Sequence, residues 1–354
     1  MNKEEILKLK LTDKEVRQLR ALAKKTELFT IICTLDKVRV ILNKEEYFKA
    51  IEFNTNCKIE KYFNVASDAF LTVFKGTLFM TLTDSSVVLE MSESDNIDES
   101  KWSAYREISI LNPKLVLHLI SACNVSQLEA LESEFSDMKR WKEACNCTGA
   151  GISFNKQFIS TDSLDVKIFK VKEKQNPREE SYGVTKEALQ EIADFGDNMP
   201  VVSKGDFLVF KRGNYILGVT RAIVKQQFIV PNAMVANTGI QVDFLINLRL
   251  AMEYLTNSKP TPKQLEKMDG DNYYLLIDLI NNICLVQKDS SKSVYATPMK
   301  VMKEGDFPVE QVKIPLRYFY KISSLLKSEV QHIMVFPRHI QFLEDDMRIL
   351  IRKG

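Results

Sequence analysis

The sequence predicts an α+β protein made of six copies of one small unit, paired into three similar domains. The unit is a strand, a short amphipathic helix and three strands joined by turns, and it recurs about every 59 residues along the 354-residue chain. Apolar residues make up 45% of the chain and charged residues 27%, while Gly and Pro number only 12 and 10. This composition is typical of ordinary globular cores and argues against a disordered or fibrous chain.

The first unit shows the pattern most clearly. Leu7–Leu11 alternates as a strand does, and Thr12-Asp13 supplies an N-cap for a helix over 13–25. Three further strands are predicted at Phe29–Thr34, Val38–Leu42 and Tyr47–Phe53.

The sixth unit repeats the same order at the other end of the chain. A strand at Val312–Ile314 is followed by a helix over Leu316–Leu326. The three strands that complete it are predicted at Gln331–Phe336, His339–Leu343 and Met347–Ile351.

The middle units are less regular. Unit two spans 58–110, with a short helix from Ser67 and a polar segment over Ser92–Lys101, and unit five spans 239–302, with a helix from about Asn247. Unit four has a helix at Thr185–Phe195 and strands at Val201–Ser203, Phe207–Lys211 and Tyr215–Ala222.

Unit three, over 112–174, allows two interpretations. Either Leu115–Ile120 is its first strand and Ser126–Lys142 its helix, or the helix starts at Pro113. We favour the first, because a helical stripe is kept by Leu128, Leu131, Phe135 and Met138.

Pairing of the units follows from their size. One unit is too small to bury both faces of its sheet and the apolar stripe of its helix. Two units packed together solve this, with the helices side by side and the sheets outside. Six units give three domains, predicted at 1–110, 111–230 and 231–354. An arc of three domains leaves two open ends, and a head-to-tail dimer would join them into a ring.

No motif for catalysis or for a cofactor is found. The chain has no Walker loop, nucleophile elbow, dinucleotide fingerprint or zinc-protease helix. The three histidines are His118, His332 and His339, and the last two lie in adjoining predicted strands without an obvious acidic or nucleophilic companion. Cys145-Asn-Cys147 lacks the spacing of a zinc site. We therefore expect a protein that is not an enzyme and has no metal or cofactor.

The net charge and the hydropathy of the chain limit where the protein can be located and which partners it can have. The net charge is only +2, which argues against a protein that reads DNA sequence but not against one with a mildly positive strip. No stretch approaches the roughly 18 apolar residues of a membrane span, and the first residues lack the apolar core of a signal peptide. The expected location is the cytoplasm, with no membrane partner.

Three segments carry a resemblance to a known family. They are Ile159–Val166, with its Ser-Thr-Asp turn, the hairpin Gly205–Arg221, and the terminal Ile349–Arg352. They resemble the bacterial beta-type DNA polymerase sliding clamp, a processivity factor. Ser163 stands where the family has Gly, and two residues separate Phe228 from Pro231 where the family has a Phe-Pro turn. These departures are consistent with a divergent, phage-encoded member.

The resemblance implies a ring, lined by the helices, that encircles double-stranded DNA without reading its sequence. It implies a homodimer that holds a DNA polymerase and a clamp loader through short peptide motifs. Basic residues on the predicted helices would contact phosphates, which give affinity without sequence information. The candidates are Lys14, Arg17, Arg20, Lys24, Lys25, Lys139, Arg140, Lys142, Arg249, Arg317 and Lys321. The alternative for each is a lysine or arginine on a solvated helix face.

The resemblance also implies an apolar groove for the partner peptide between the second and third domains. The matching positions are Thr161, Leu164, Val166, Pro231, Ile349, Ile351 and Arg352. The apolar side chains would anchor the peptide, and Arg352 would bind its carboxylate or other polar groups. The alternative is that Val166, Ile349 and Ile351 are plain strand-core residues.

Two other functions compete with the sliding clamp. A structural or assembly protein built from repeated β modules, such as a virion component, would have no DNA-facing basic helices and no closed dimer. An enzyme with an unrecognised site would bring polar side chains together in one deep pocket.

Overall fold

The protein is described by a computed structural model. The described residues are 5–56, 60–109, 111–125, 135–172, 181–197, 199, 201–222, 240–245, 273–278, 280–281, 283–288, 293–298, 302–304, 311–322, 324–327, 330–336 and 338–352.

The first two units contain these elements: β1 (Glu5–Leu11), α1 (Asp13–Ala23), β2 (Leu28–Thr34), β3 (Lys37–Asn43), β4 (Tyr47–Asn54), β5 (Lys61–Ala66), a 3₁₀ turn at Ser67–Leu71, β6 (Gly76–Leu82), β7 (Ser86–Ser92), a 3₁₀ turn at Ile97–Glu99 and β8 (Trp102–Glu107). The predicted elements of these units are confirmed, with boundaries that differ by one or two residues.

The third and fourth units contain α2 (Pro113–Cys123), α3 (Met138–Thr148), β9 (Ile152–Phe154), β10 (Phe158–Asp162), β11 (Val166–Val171), β12 (Tyr182–Val184), α4 (Lys186–Phe195), β13 (Val201–Lys204), β14 (Phe207–Arg212) and β15 (Tyr215–Thr220).

The fifth and sixth units contain β16 (Ile240–Leu245), β17 (Tyr273–Asp278), β18 (Ile283–Lys288), β19 (Ser293–Pro298), β20 (Met302–Glu304), β21 (Gln311–Pro315), α5 (Leu316–Ile322), β22 (Val330–Val335), β23 (His339–Glu344) and β24 (Met347–Arg352). The helix predicted from about Asn247 lies outside the described residues.

The chain forms two compact units. The first comprises Met1–Ser136 and Asp194–Arg221, and the second comprises Asp137–Ala193 and Ala222–Gly354. The first contains sheet A, with strand order β1-β6-β7-β8, and sheet B, with order β13-β14-β15-β4-β3-β2-β5. The second contains sheet C, with order β12-β9-β10-β11-β24-β23-β22-β16-β20, and sheet D, with order β19-β18-β17-β21.

Strand pairing follows one rule in five of the six repeats, as far as the described residues show. The first strand of a unit pairs with the three-strand block of the adjacent unit and not with that of its own unit. The pairs are β1–β6, β5–β2, β12–β9, β16–β22 and β21–β17. This exchange gives each pair of units a shared core, which one unit cannot form alone. The pairing therefore supports the interpretation of the chain as repeated units.

Helix α1 shows why the units fold locally. Thr12 accepts a hydrogen bond from the backbone N–H of Glu15, and the Glu15 carboxylate accepts one from the backbone N–H of Thr12, which is a capping box. The buried stripe of Val16, Leu19 and Leu22 then packs on residues of sheets A and B in one core cluster. The predicted N-cap at Thr12 is confirmed.

The favoured interpretation of unit three is wrong. Leu115–Ile120 is not a strand, because it lies inside α2, which Asn112 caps and which has Pro113 in its first turn. Of the helix predicted over Ser126–Lys142, residues 126–134 lie outside the described part, and the helix that is described begins at Met138, after Asp137 adopts a left-handed φ of 57°. Leu128 and Leu131 of the predicted stripe lie outside the described residues.

Helix α2 covers the face of sheet B opposite to α1. Neighbouring strand residues point to opposite faces of a sheet, and Ile31 belongs to the core cluster of α1 while Ile32 belongs to that of α2. Val116 and Leu119 of α2 are buried in the second cluster. Both faces of sheet B are thus covered where α2 lies.

Candidate functional site

The predicted basic face of α1 is present. Val16 and Leu19 are buried, and on the other sides of the helix the exposed residues include Lys14, Arg17, Arg20, Lys24 and Lys25. The Arg20 Nε donates to the Val73 carbonyl at 2.9 Å, and the Arg17 Nε donates to the Asp13 carbonyl at 3.2 Å. Both bonds use the Nε atom, and both arginine side chains remain exposed.

The three basic residues of α3 differ in their surroundings. Lys139 is exposed and Lys142 is half-buried. Arg140 donates to the Asp345 carboxylate at 3.0 Å and to the Glu344 carbonyl at 2.8 Å, and 13% of its side chain is exposed. A guanidinium bound in this way anchors α3 to the turn between β23 and β24, so Arg140 is the least available of the three for a phosphate.

The basic residues of the last helix also differ in their exposure. Lys321 of α5 is exposed, whereas Arg317 is half-buried and lies 4.4 Å from the centroid of the Tyr318 ring. Arg317 also donates a short hydrogen bond to the Tyr318 hydroxyl. Arg249 lies outside the described residues. DNA contact by these residues stays a prediction.

Four of the residues predicted to bind a partner peptide meet on one face of sheet C. Strand β11 pairs with β24, and the register sets Val166 opposite Ile351 and Ile168 opposite Ile349. Thr161 of β10 lies opposite Ile168, on the same face. The sequence placed these positions on two walls of one groove, and the ladder brings them together.

This face of the ladder is covered by helices. Thr161 shares a 2.6 Å hydrogen bond with Thr148 of α3, and Phe319 of α5 contacts Phe342 of β23 with 5.6 Å between ring centroids. Thr161, Val166, Ile349 and Ile351 are each at most 1% exposed. Their burial agrees with their interpretation as strand-core residues, and a peptide could reach them only at the edge of the covered face.

Leu164 and Arg352 are the accessible members of the set. Leu164 is 90% exposed at the tip of the turn between β10 and β11. The turn is fixed because the Ser163 N–H donates to the Val166 carbonyl at 2.8 Å and the Val166 N–H donates to the Ser163 hydroxyl at 3.2 Å. The backbone N–H of Arg352 donates to the Asp165 carbonyl at 2.9 Å, which ties the C-terminal strand to this turn. Pro231 lies outside the described residues.

The sequence reading missed the basic residues beside this turn. His339 pairs with Arg352 across β23 and β24, and Lys167 follows Val166 in β11. Burial lowers the pKa of His339, and the charges of Lys167, Arg352 and Arg338 lower it further. These residues are far apart in the sequence, and only the order of strands in sheet C makes them neighbours. No sequence pattern could therefore have indicated the group.

The described cysteines show no sign of reactivity. Burial raises the pKa of Cys145 and of Cys123 to about 12 and that of Cys147 to about 11. Such thiols stay protonated near neutral pH and pack as small apolar groups. In the described part of the chain, no cluster of three or more His, Cys, Asp or Glu side chains is placed to hold a metal ion. None of the described helices is both long and apolar enough to span a membrane.

Solved structures share this architecture over nearly the whole chain. The DNA polymerase sliding clamp from Pseudomonas aeruginosa, solved with a ligand, superposes with a TM-score of 0.66 at 9% identity, covering 98% of this chain and 99% of that one. The H. pylori beta clamp in complex with diflunisal gives a TM-score of 0.62 at 12% identity, with 99% and 100% covered. This chain has the sliding-clamp fold. DNA polymerase III beta subunit from Thermotoga maritima gives 0.59 at 11% identity, with 98% and 99% covered.

The sliding-clamp fold is shared here with almost no sequence. No protein-family model matches the chain, and no curated protein matches it. A sliding-clamp fold at this identity fixes the order of strands and helices but transfers no individual site residue. The roles of residues in this chain must therefore be argued from their own geometry.

Proposed function

We propose that this protein is a DNA sliding clamp, a non-catalytic cytoplasmic subunit that encircles duplex DNA and tethers a replicative DNA polymerase for processive synthesis. The three domains are 1–110, 111–230 and 231–354, and two chains join head to tail in a closed ring. The observation that carries the proposal is the pattern by which strands pair between distant repeats.

Two seams in the sheets join repeats that are three units apart. In sheet B the last strand of unit one pairs with the last strand of unit four, as β4 with β15. In sheet C the last strand of unit three pairs with the last strand of unit six, as β11 with β24. The same rule requires the last strand of unit two, β8, to pair with the last strand of unit five, β19.

Strands β8 and β19 instead lie at the edges of sheets A and D. An edge strand presents unpaired N–H and C=O groups that favour pairing with another chain. In a dimer, β8 of each copy can pair with β19 of the other copy. All three seams would then be equivalent, and neither end of the three-domain arc would keep an unpaired edge strand. A head-to-tail contact that closes in this way gives a ring.

The basic residues on α1 and their counterparts on α3 and α5 suit a DNA duplex within that ring. Phosphate contacts through Lys and Arg hold DNA without reading bases and weaken as salt rises. The low net charge of +2 favours weak binding to DNA, which permits sliding. Polymerase and clamp loader would each dock a short peptide beside Leu164 and Arg352.

A topological test separates a clamp from a surface binder. The protein is loaded onto nicked circular DNA by a clamp loader and isolated at moderate salt, and half the sample is then linearised with a restriction enzyme. We expect the protein to stay on the circles and to slide off the linear molecules, because only a ring is held by topology. The measurement is the amount of protein that elutes with DNA from a sizing column.

Equal retention on circular and linear DNA would contradict the proposal. An end-blocked linear molecule, with a bulky protein at each end, serves as the control because it should retain the ring after cutting. A repeat-built assembly protein, the competing function, predicts no retention difference among the three DNA forms.

The edge of β8 offers a test of ring closure. The Ile108 N–H donates to the Ser85 carbonyl at 3.0 Å, so by alternation the N–H of Tyr105 points away from β7. Replacing Tyr105 with Pro removes that outward donor while leaving the β7–β8 bonds in place. We expect the dimer dissociation constant to rise about tenfold, because the variant loses roughly one backbone hydrogen bond and the strand around it is distorted. Sedimentation equilibrium measures it.

Tyr105→Val is the matched control, because it also removes the 60% exposed ring but keeps the N–H. The Pro variant should dissociate more readily than the Val variant. If both variants dimerise like the unmodified protein, β8 is not the closing edge.

A further inference from the structure

We infer that the partner peptide carries acidic residues, which Lys167, Arg338 and Arg352 select beside the apolar anchor at Leu164. This inference rests on the proposed function and names the chemistry of the partner at the same site. Lys167 and Arg352 lie on the same face of sheet C as His339, and Arg338 directly precedes His339.

The ladder register places these groups together. His339 of β23 lies directly opposite Arg352 of β24, so the two side chains share a face. Lys167 of β11 lies opposite Leu350, two residues from Arg352 and therefore on the same face. Arg338 directly precedes His339. The side chains come from three adjacent segments that have no sequence pattern in common.

Two of the three basic residues have no carboxylate partner within the described part of the chain. Asp162 lies opposite Lys167 in the β10–β11 ladder and can compensate that residue. Arg338 and Arg352 are exposed, and among the described ion pairs neither has a carboxylate partner. Nearby basic residues do have partners, since Lys170 pairs with Asp346.

Like charges side by side on a sheet destabilise it unless another group compensates them. The pKa of His339 reflects this crowding, since the charges of Lys167, Arg352 and Arg338 add to burial in lowering it. A cluster that repels further positive charge is suited to an anionic ligand. The carboxylate of Asp or Glu fits an arginine fork in a bidentate manner.

A peptide fits this surface better than a nucleic acid does. Leu164 projects beside the cluster with 90% of its surface exposed, and the backbone bond from Arg352 to Asp165 holds the two together. An exposed leucine offers nothing to a phosphate backbone, whereas a peptide with apolar and acidic residues would cover both features. The predicted ligand therefore has a Leu, Ile or Phe next to one or two Asp or Glu.

The test is a selection that assumes no motif. A phage-displayed library of random dodecapeptides is panned against the full-length protein and against a K167Q/R338Q/R352Q variant. We expect the peptides selected by the unmodified protein to be enriched in Asp and Glu beside an apolar residue, and the enrichment to be absent with the variant. The best peptide and its Asp→Asn, Glu→Gln analogue are then compared by fluorescence anisotropy.

The acidic form should bind about three- to tenfold more tightly than the amide form, as expected for two or three partly exposed ion pairs. The ratio should approach one with the triple variant and should fall as salt is raised. A Leu164→Ser variant is the matched control: it should weaken both peptides alike and leave their ratio unchanged, because it removes only the apolar anchor.

Three results would overturn the inference: a selected pool without acidic enrichment, no enriched pool at all, or an acidic preference that persists in the triple variant. If the triple variant instead loses retention on circular DNA, the cluster binds nucleic acid and the inference is also overturned. These outcomes are distinct from a failure of the clamp proposal, which would appear as equal retention on circular and linear DNA with the peptide preference intact.

Discussion

Replacing Glu52 with Ala is expected to lower the free energy of unfolding by about 3–5 kcal/mol, the usual effect of leaving a buried charge without its partner. Glu52 of β4 is 8% exposed and accepts from the Arg39 Nε at 3.0 Å, and Arg39 is 1% exposed. Lys37 and Lys211 reach the other carboxylate oxygen at 3.1 and 3.2 Å. Removal of the carboxylate would leave three cations facing one another.

The Glu52 cluster also joins distant parts of the chain. Lys211 belongs to β14, and the Arg39 Nη2 donates to the side chain of Asn124, the C-cap of α2, at 2.8 Å. The loss should therefore loosen the end of α2, and protease cleavage near Asn124 should increase. Urea unfolding followed by circular dichroism gives the stability, and limited proteolysis with mass spectrometry gives the local effect.

Glu93→Ala is the control for Glu52→Ala. Glu93 pairs with Lys101 at 2.8 Å, but 67% and 58% of the two side chains are exposed. Such a pair contributes roughly 0–1 kcal/mol, so this variant should be nearly as stable as the unmodified protein. Equal costs for the two variants would contradict the role given to the buried cluster.

The effect of Glu52 should depend on pH with a defined sign. Burial by itself raises the pKa of Glu52, but hydrogen bonds and charges from Lys37, Arg39 and Lys211 outweigh it, and the pKa lies below the ordinary value of 4.5. A carboxyl whose pKa is lowered by folding stabilises the protein above that value and loses its contribution as pH falls through the folded pKa. The stability gap between the unmodified protein and Glu52→Ala should therefore be constant near neutral pH and shrink below about pH 4.5.

Strands were predictable from sequence to the extent that local alternation decides them. In the first and sixth units the strand boundaries differ from prediction by one or two residues, because each strand has one face on a core. A helix from Pro113 was the less favoured of two interpretations, because the apolar stripe from Leu128 to Met138 favoured a later helix, although Asn112 and Pro113 carry a helix-start signal. The segment forms a helix because the second apolar face of sheet B has to be covered.

The sequence predicted that the turn before Val166 and the C-terminal strand lie side by side, but it did not predict which of their residues are exposed. The turn and the C-terminal strand meet as expected, yet the register that buries Val166 and Ile351 and exposes Leu164 comes from pairing between residues far apart in sequence. The ion pair that occupies Arg140 likewise depends on Asp345, which lies in another repeat. Neither relation leaves a local pattern in the sequence.

Replacing Gly218 with Ala is expected to cost about 1–3 kcal/mol, the usual penalty for overpacking a filled core. Gly218 of β15 lies opposite Phe48 of β4 at the seam between units four and one. A Cβ on Gly218 would lie 2.0 Å from the Phe48 Cε1, and Phe48 is fully buried against Phe207 with 5.2 Å between ring centroids. The ring has no free space into which to turn, so the strands of the seam would have to separate.

A double-mutant cycle makes this prediction specific to the seam. In a Phe48→Ala background the space above Gly218 is empty, so Gly218→Ala should be neutral or stabilising by up to about 1 kcal/mol, because Gly is the weaker strand residue. The sign of the Gly218 effect should thus reverse with residue 48, which urea unfolding of the four proteins would measure. An unchanged sign would mean that Gly218 is needed for its own backbone and not for the aromatic ring across the seam. Reversal would instead establish the β4–β15 seam as a tightly packed junction between repeats, the kind of contact that a closing pair of β8 and β19 would have to reproduce.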